Sequence, residues 1–197
     1  MASYSAGAVK YPFWFYEFKQ AMEWLDEGET WDQIQSRIIT HNWFKLTSKG
    51  RRQNLYSQLT KRVMSLTDPI YSVFFNTDTD NQRLIDLIGL MNTNLLFKTF
   101  ILRTYRDELM MGDQKLEDFE IQAFFRRLQA EDEKVAKWQD ETIDRLAGTF
   151  RNYLRQAGLA KLNGSTLLVT RPLLDPALED ALVEVNHQDY VAALTGR

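Results

Sequence analysis

The stretch 140-DETIDRLAGTFRNYLRQAGLAKLNGSTLLVT-170 contains the change of period that decides the fold class. Up to residue 157 its apolar side chains (Ile143, Leu146, Ala147, Phe150, Leu154 and Ala157) recur at three- and four-residue steps. That spacing gathers them on one face of a helix. Gly158 supplies the stop. Residues 159–162 and 166–170 then form two short strand candidates around Asn163-Gly164, the strongest two-residue hairpin signal. Preceded by a helical segment at 116–130, this gives the order helix, helix, hairpin, as in a winged helix-turn-helix. The fold expected is mainly α, with two helix-turn-helix-like modules, the C-terminal one carrying a short β-hairpin wing.

Working back toward the start, Pro12 reads as a first helical residue for a helix over 13–27 that Gly28 caps. Thr30 with Gln33 reads as a capping box for a second helix ending near His41 and Asn42. Ser48 caps a third that runs to Leu66, and Asp68-Pro69 closes the unit. Residues 76–81 are polar, which sets a boundary between an N-terminal domain at 1–76 and a C-terminal domain at 77–197. In the second, helices are expected at 81–91 and at 95–111, ending at Gly112. A charged connection follows over 131–137, and a last helical region begins at Pro176.

The net charge of −3 hides a segregation. Residues 33–67 hold no acid and seven bases: Arg37, Lys45, Lys49, Arg51, Arg52, Lys61 and Arg62. Residues 145–174 again hold no acid, with Arg145, Arg151, Arg155, Lys161 and Arg171. These windows therefore carry +12, and the rest of the chain −15. Two basic windows, each covering a helix and a flanking loop or hairpin, point to nucleic acid, although a solvated basic face is the plain alternative for each.

The third helix places Leu55, Leu59, Val63 and Leu66 on a buried stripe, leaving Asn54, Gln58 and Lys61 outward and Arg51 and Arg62 nearer the rim. Amide side chains read base edges in a major groove, and Lys or Arg neutralise phosphates. Lys49-Gly50-Arg51-Arg52 lacks the glycine spacing of a nucleotide loop and suits at most a DNA phosphate. The 140–157 helix presents Arg145, Thr149, Asn152 and Arg155, with Arg151 on its flank, and Lys161 lies in the wing. Asp144 is an unfavourable acid at its start. The aromatic run 11–16 with Trp24, Trp31, Trp43 and Phe44 reads as core packing before base stacking.

Several functions are set aside. No cysteine is present, which excludes disulfides, thiolate metal sites and a cysteine nucleophile and fits the reducing cytoplasm. No histidine pair, Gly-x-Ser-x-Gly elbow or dinucleotide fingerprint occurs. Asp78 and Asp80 read as helix caps, and His41 and His187 as isolated histidines, so no metal or cofactor is expected. The first ten residues lack a secretory pattern, and the apolar stretch at 95–111 carries Lys98, Arg103, Arg106, Asp107 and Glu108, so no membrane span is expected.

Several segments resemble the BrxA proteins of bacteriophage exclusion (BREX) systems: residues 4–7 (Tyr-Ser-Ala-Gly), 15–20, and 92–113 with Tyr105-Arg106-Asp107 and Met111-Gly112-Asp113. The likeness continues through Lys134-Val135-Ala136-Lys137-Trp138, residues 153–159, and Arg171-Pro172-Leu173-Leu174-Asp175-Pro176. It implies a small accessory protein without enzymatic activity, with helix-turn-helix-type domains that bind double-stranded DNA. The partners it implies are other components of such a system, among them a DNA methyltransferase and an ATPase. It transfers no catalytic residue. A protein–protein adaptor and an RNA-binding helical bundle are the alternative readings.

Overall fold

The computed structural model describes residues 3–111, 114–164 and 166–197. The protein is mainly helical with one small antiparallel sheet. A 3₁₀ turn at Ala6–Lys10 leads through an extended stretch to Trp14, whose left-handed backbone (φ 59°) turns the chain into helix α1, Phe15–Asp26. Pro12 is thus not a first helical residue: the sharp turn at Trp14 intervenes. Gly28 follows α1 at φ 91°, a conformation that costs glycine little.

The capping box opens α2, Trp31–Gln35, as expected: the Gln33 amide donates to Thr30 Oγ1, and Thr30 N–H donates to the Gln33 side chain. A π turn at Ser36–Thr40 prolongs it to His41. Ser48 caps α3, Lys49–Met64, by accepting from the Arg51 amide. Asp68-Pro69 does not close a unit. It begins α4, Asp68–Val73, because proline is tolerated in a first turn whose N–H groups have no helical partner.

Helix α5, Thr79–Thr93, is capped by Asp78, and Asn94 breaks it from α6, Leu95–Phe100. A π turn at Ile101–Tyr105 carries α6 into α7, Arg106–Met111; the stop expected at Gly112 lies outside the described residues. Among the described residues no single helix is long and apolar enough to cross a membrane. The α5 and α6–α7 pair reaches the necessary length and composition only together, across a bend of 112°. Gly89 of α5 lies where α3 crosses: a side chain there would meet the Arg62 carbonyl at 3.0 Å. The buried core is continuous across residue 76, from Phe18 and Leu59 to Phe97 and Phe150.

Leu116, expected in a helix, instead forms strand β1, Lys115–Leu116. Helix α8 is Asp118–Glu131, and α9 is Asp140–Gln156. Strands β2, Ala160–Asn163, and β3, Thr166–Val169, follow, in sheet order β1-β3-β2. Asn163 pairs with Thr166, so the asparagine ends β2 and Gly164 (φ 61°) begins the turn, one residue later than the dipeptide signal placed it. Helices α10, Pro176–Glu184, and α11, Gln188–Thr195, complete the chain.

All six apolar residues assigned to the inner face of α9 are buried. Phe150 is their centre, with ring centroids 5.0 Å from Phe97, 5.1 Å from Phe100 and 5.8 Å from Phe125. Such aromatic pairs contribute about 0.5–1.5 kcal/mol each beyond the area they bury. This packing fixes the rotation of α9 and therefore which side chains face outward.

Candidate nucleic-acid interface

On α9 the outward residues are Arg145, Asn152 and Arg155, with Thr149 half-buried and donating to the Arg145 carbonyl at 2.8 Å. Two of the three acids at the start of the helix are engaged by α8. Arg126 of α8 pairs with Asp140 at 2.9 Å, and Gln122 of α8 donates to Asp144 at 2.7 Å. Glu141 stays exposed, 4.0 Å from Arg145. Arg151 behaves differently from its neighbours: it is half-buried and ion-paired with Asp118 of α8. Burial also pushes its guanidinium pKa down. Lys161 is exposed on the edge strand β2.

On α3, Lys49, Arg51, Asn54 and Lys61 are exposed, while Arg52 and Gln58 are half-buried. Arg51 reaches back to Thr47 Oγ1 at 3.4 Å. Arg62, expected near the rim, is wholly buried, and this removes it from the candidate interface. Its Nη1 pairs with Asp86 of α5 at 3.1 Å and also donates to the Phe13 carbonyl. The signal was present in the spacing. Arg62 lies seven residues after Leu55 and three after Leu59, within the apolar stripe rather than beside it.

The N-terminal segment lies between the two helices and was not anticipated as part of the surface. Gln58 and Lys61 open into a groove shared with Ser3, Ser5 and Gly7. Arg51 and Asn54 share another with Lys10, Pro12 and Trp14. Arg145, Thr149 and Asn152 face Lys10 across a third. Arg83 also escaped the sequence reading, because Asp80 and Asp86 flank it. It shares a groove with Arg155, stacks over Phe15 at 5.4 Å and pairs with Asp80 at 2.9 Å.

The remaining candidates resolve simply. Asp78 is a cap, accepting from the Asn81 amide at 2.8 Å, and those hydrogen bonds hold its carboxyl below the usual aspartate range. His187 stacks on Tyr190 with centroids 4.4 Å apart, and His41 is exposed. Of the aromatic group, Phe13 and Trp24 are buried and most of the others pack partly against the core, whereas Tyr16 (66%) and Trp43 (51%) are exposed. Trp43 is also half of a pair that holds Arg37, whose guanidinium carbon lies 5.2 Å from the Trp24 ring centre and 5.6 Å from that of Trp43.

Comparison with known proteins agrees with this architecture. A crystal structure of an uncharacterized protein from Magnetospirillum magneticum matches with a TM-score of 0.79, covering 100% of both chains at 18% identity, which shows a shared fold. The BREX protein BrxA of Bacillus cereus (strain H3081.97) is 25% identical over 185 residues, 94% of this chain and 92% of that protein. The BrxA family model matches residues 2–186, nearly the whole sequence, and the chain belongs to the BrxA family.

Proposed function

We propose that the protein is a non-enzymatic, double-stranded-DNA-binding accessory protein of a bacterial BREX anti-phage system, acting in the cytoplasm with other BREX components such as the methyltransferase or the ATPase. The observation that carries the DNA reading is the outward face of α9. Arg145, Asn152 and Arg155 share it, while Asp140 and Asp144 are drawn toward α8 by Arg126 and Gln122. The name of the Bacillus cereus relative supports the BREX assignment.

The element order supports a winged helix-turn-helix. Helix, β1, α8, α9, β2 and β3 follow one another, with β3 between the other two strands. In that arrangement α9 enters the major groove and Lys161 of the hairpin meets a flanking phosphate. The pair α2 and α3 serves as a second helix-turn-helix-type module, with Asn54 and Gln58 toward base edges and Lys49, Arg51, Arg52 and Lys61 toward the backbone.

The test is a salt titration of binding to duplex DNA, duplex RNA and single strands in parallel. Duplex DNA should bind best with weak sequence preference, and log affinity should fall against log salt with a slope of about −4 to −6 for five to seven phosphates. Affinity for none of the three would favour a protein–protein adaptor, and preference for duplex RNA would replace the DNA reading. Purified protein should neither hydrolyse nucleotides nor cleave or methylate DNA, and activity that follows the chain through successive columns would contradict the non-enzymatic reading.

A further inference from the structure

The two basic windows lie more than 75 residues apart in sequence, yet both border the same N-terminal strap, residues 6–14. Lys10 is the only charged residue in the first sixteen, and its side chain is exposed. It forms a wall of the groove that contains Arg51 and Asn54, and also of the groove that contains Arg145, Thr149 and Asn152. A cation at this seam closes the gap in positive charge between α3 and α9.

The strap is held by one buried donor from each window. Tyr153 of α9 donates its hydroxyl to the Tyr11 carbonyl at 2.6 Å and approaches the Ala8 carbonyl at 3.4 Å. Arg62 of α3 donates to the Phe13 carbonyl. The Phe13 ring fills the space between them, with its centroid 6.0 Å from that of Tyr153 and 5.8 Å from the Arg62 guanidinium carbon. These bonds satisfy the carbonyls of Tyr11 and Phe13, in the extended stretch that follows the 3₁₀ turn, and so they anchor the end of the turn where Lys10 stands.

We propose that the strap joins the two windows into a single duplex-binding surface, with Lys10 as a phosphate contact at the seam and Tyr153 and Arg62 as positioning residues. The proposal rests on the DNA-binding reading above. Separate modules on α3 and α9 would leave room for two short duplexes per chain, one on each helix. A continuous surface holds one, and Lys10 then contributes to its electrostatics together with residues from both helices.

The experiment titrates the full chain and its variants with a labelled duplex, measuring affinity, stoichiometry and the salt slope, with melting temperature as the control. The parent should bind one duplex per chain. Lys10→Glu should keep its melting temperature, bind about three- to tenfold more weakly and lose about one from the magnitude of the salt slope. Lys10→Gln should lose a similar part of the slope without added repulsion, which keeps the test sound should the reversal disturb folding. In Tyr153→Phe the slope should also fall by about one, and adding Lys10→Glu should weaken binding less than it does in the parent, a non-additivity that mere loss of stability does not produce. A Lys10→Gln protein with parental affinity and slope, or two duplexes bound per chain, would overturn the composite surface while leaving DNA binding intact. A parent that binds no duplex would remove the DNA reading and this inference with it.

Discussion

Arg62 Nη1 lies 3.1 Å from Oδ1 of Asp86, and neither side chain is exposed. The pair joins α3 to α5, and the same guanidinium reaches the Phe13 carbonyl of the strap. It is incompletely satisfied: Nε and Nη2 of Arg62 and Oδ2 of Asp86 have no hydrogen-bond partner among the described residues. Burial pushes the Asp86 carboxyl up to about 6, against the opposing pull of Arg62.

Arg62→Ala should therefore be first of all a folding defect, in addition to releasing the strap that it holds at the Phe13 carbonyl. Leaving Asp86 buried and unpaired costs about 3–5 kcal/mol. Joint replacement by Arg62→Met and Asp86→Leu should cost less than the two single changes added together, because it leaves neither charge behind. Urea denaturation of each variant measures these costs. Wild-type stability in Arg62→Ala would contradict the assignment.

At the same crossing, Gly89→Ala places a methyl 3.0 Å from the Arg62 carbonyl and 3.1 Å from its Cβ. Backbone on both sides limits relief, so overpacking should outweigh the gain in helix propensity and lower stability by about 1–3 kcal/mol. Alanine that stabilises the protein would show that α3 and α5 separate easily.

The α9 arginines should divide by role. Arg145→Glu with Arg155→Glu should leave stability within about 0.5 kcal/mol and lower duplex affinity at least about tenfold. Arg151→Glu faces Asp118 across the α8–α9 contact and should cost about 1 kcal/mol of stability by replacing attraction with like-charge repulsion. Thermal melts beside binding isotherms separate the two. Equal losses of affinity with no change in melting would return Arg151 to the DNA-facing set.

Asp78→Ala should cost about 1 kcal/mol at neutral pH through loss of the α5 cap. The folded carboxyl titrates below its ordinary range, so its contribution is present above the unfolded value and is lost as pH falls through the lower folded one. The stability gap between parent and variant should narrow in strongly acidic buffer. A gap that widens there would contradict the cap's electrostatic part.

Much of the helical architecture was legible because caps and stripes are local. Ser48, Thr30 with Gln33, and Asp78 act within three residues, and the α9 stripe repeats within its own helix. Leu116 was misread because a two-residue strand has no period of its own; pairing with Leu167 of β3 creates it. Pro12 and Pro69 were misread for a related reason. Proline restricts φ and removes a donor, and the surrounding turns decide whether that starts a helix or precedes one.

The candidate surface shows the same division. The order of residues alone determined that two acid-free windows exist and that α9 keeps its arginines outside its apolar stripe. Tertiary structure decided which cations remain available, burying Arg62 against a residue 24 positions away and tying Arg151 to Asp118. It also brought Lys10 between the windows through a hydroxyl bond spanning 142 positions, from Tyr153 to Tyr11. Local periodicity reports only neighbours within a turn or two, whereas burial of a charge and alignment of two helices depend on contacts between distant segments that form when the core closes.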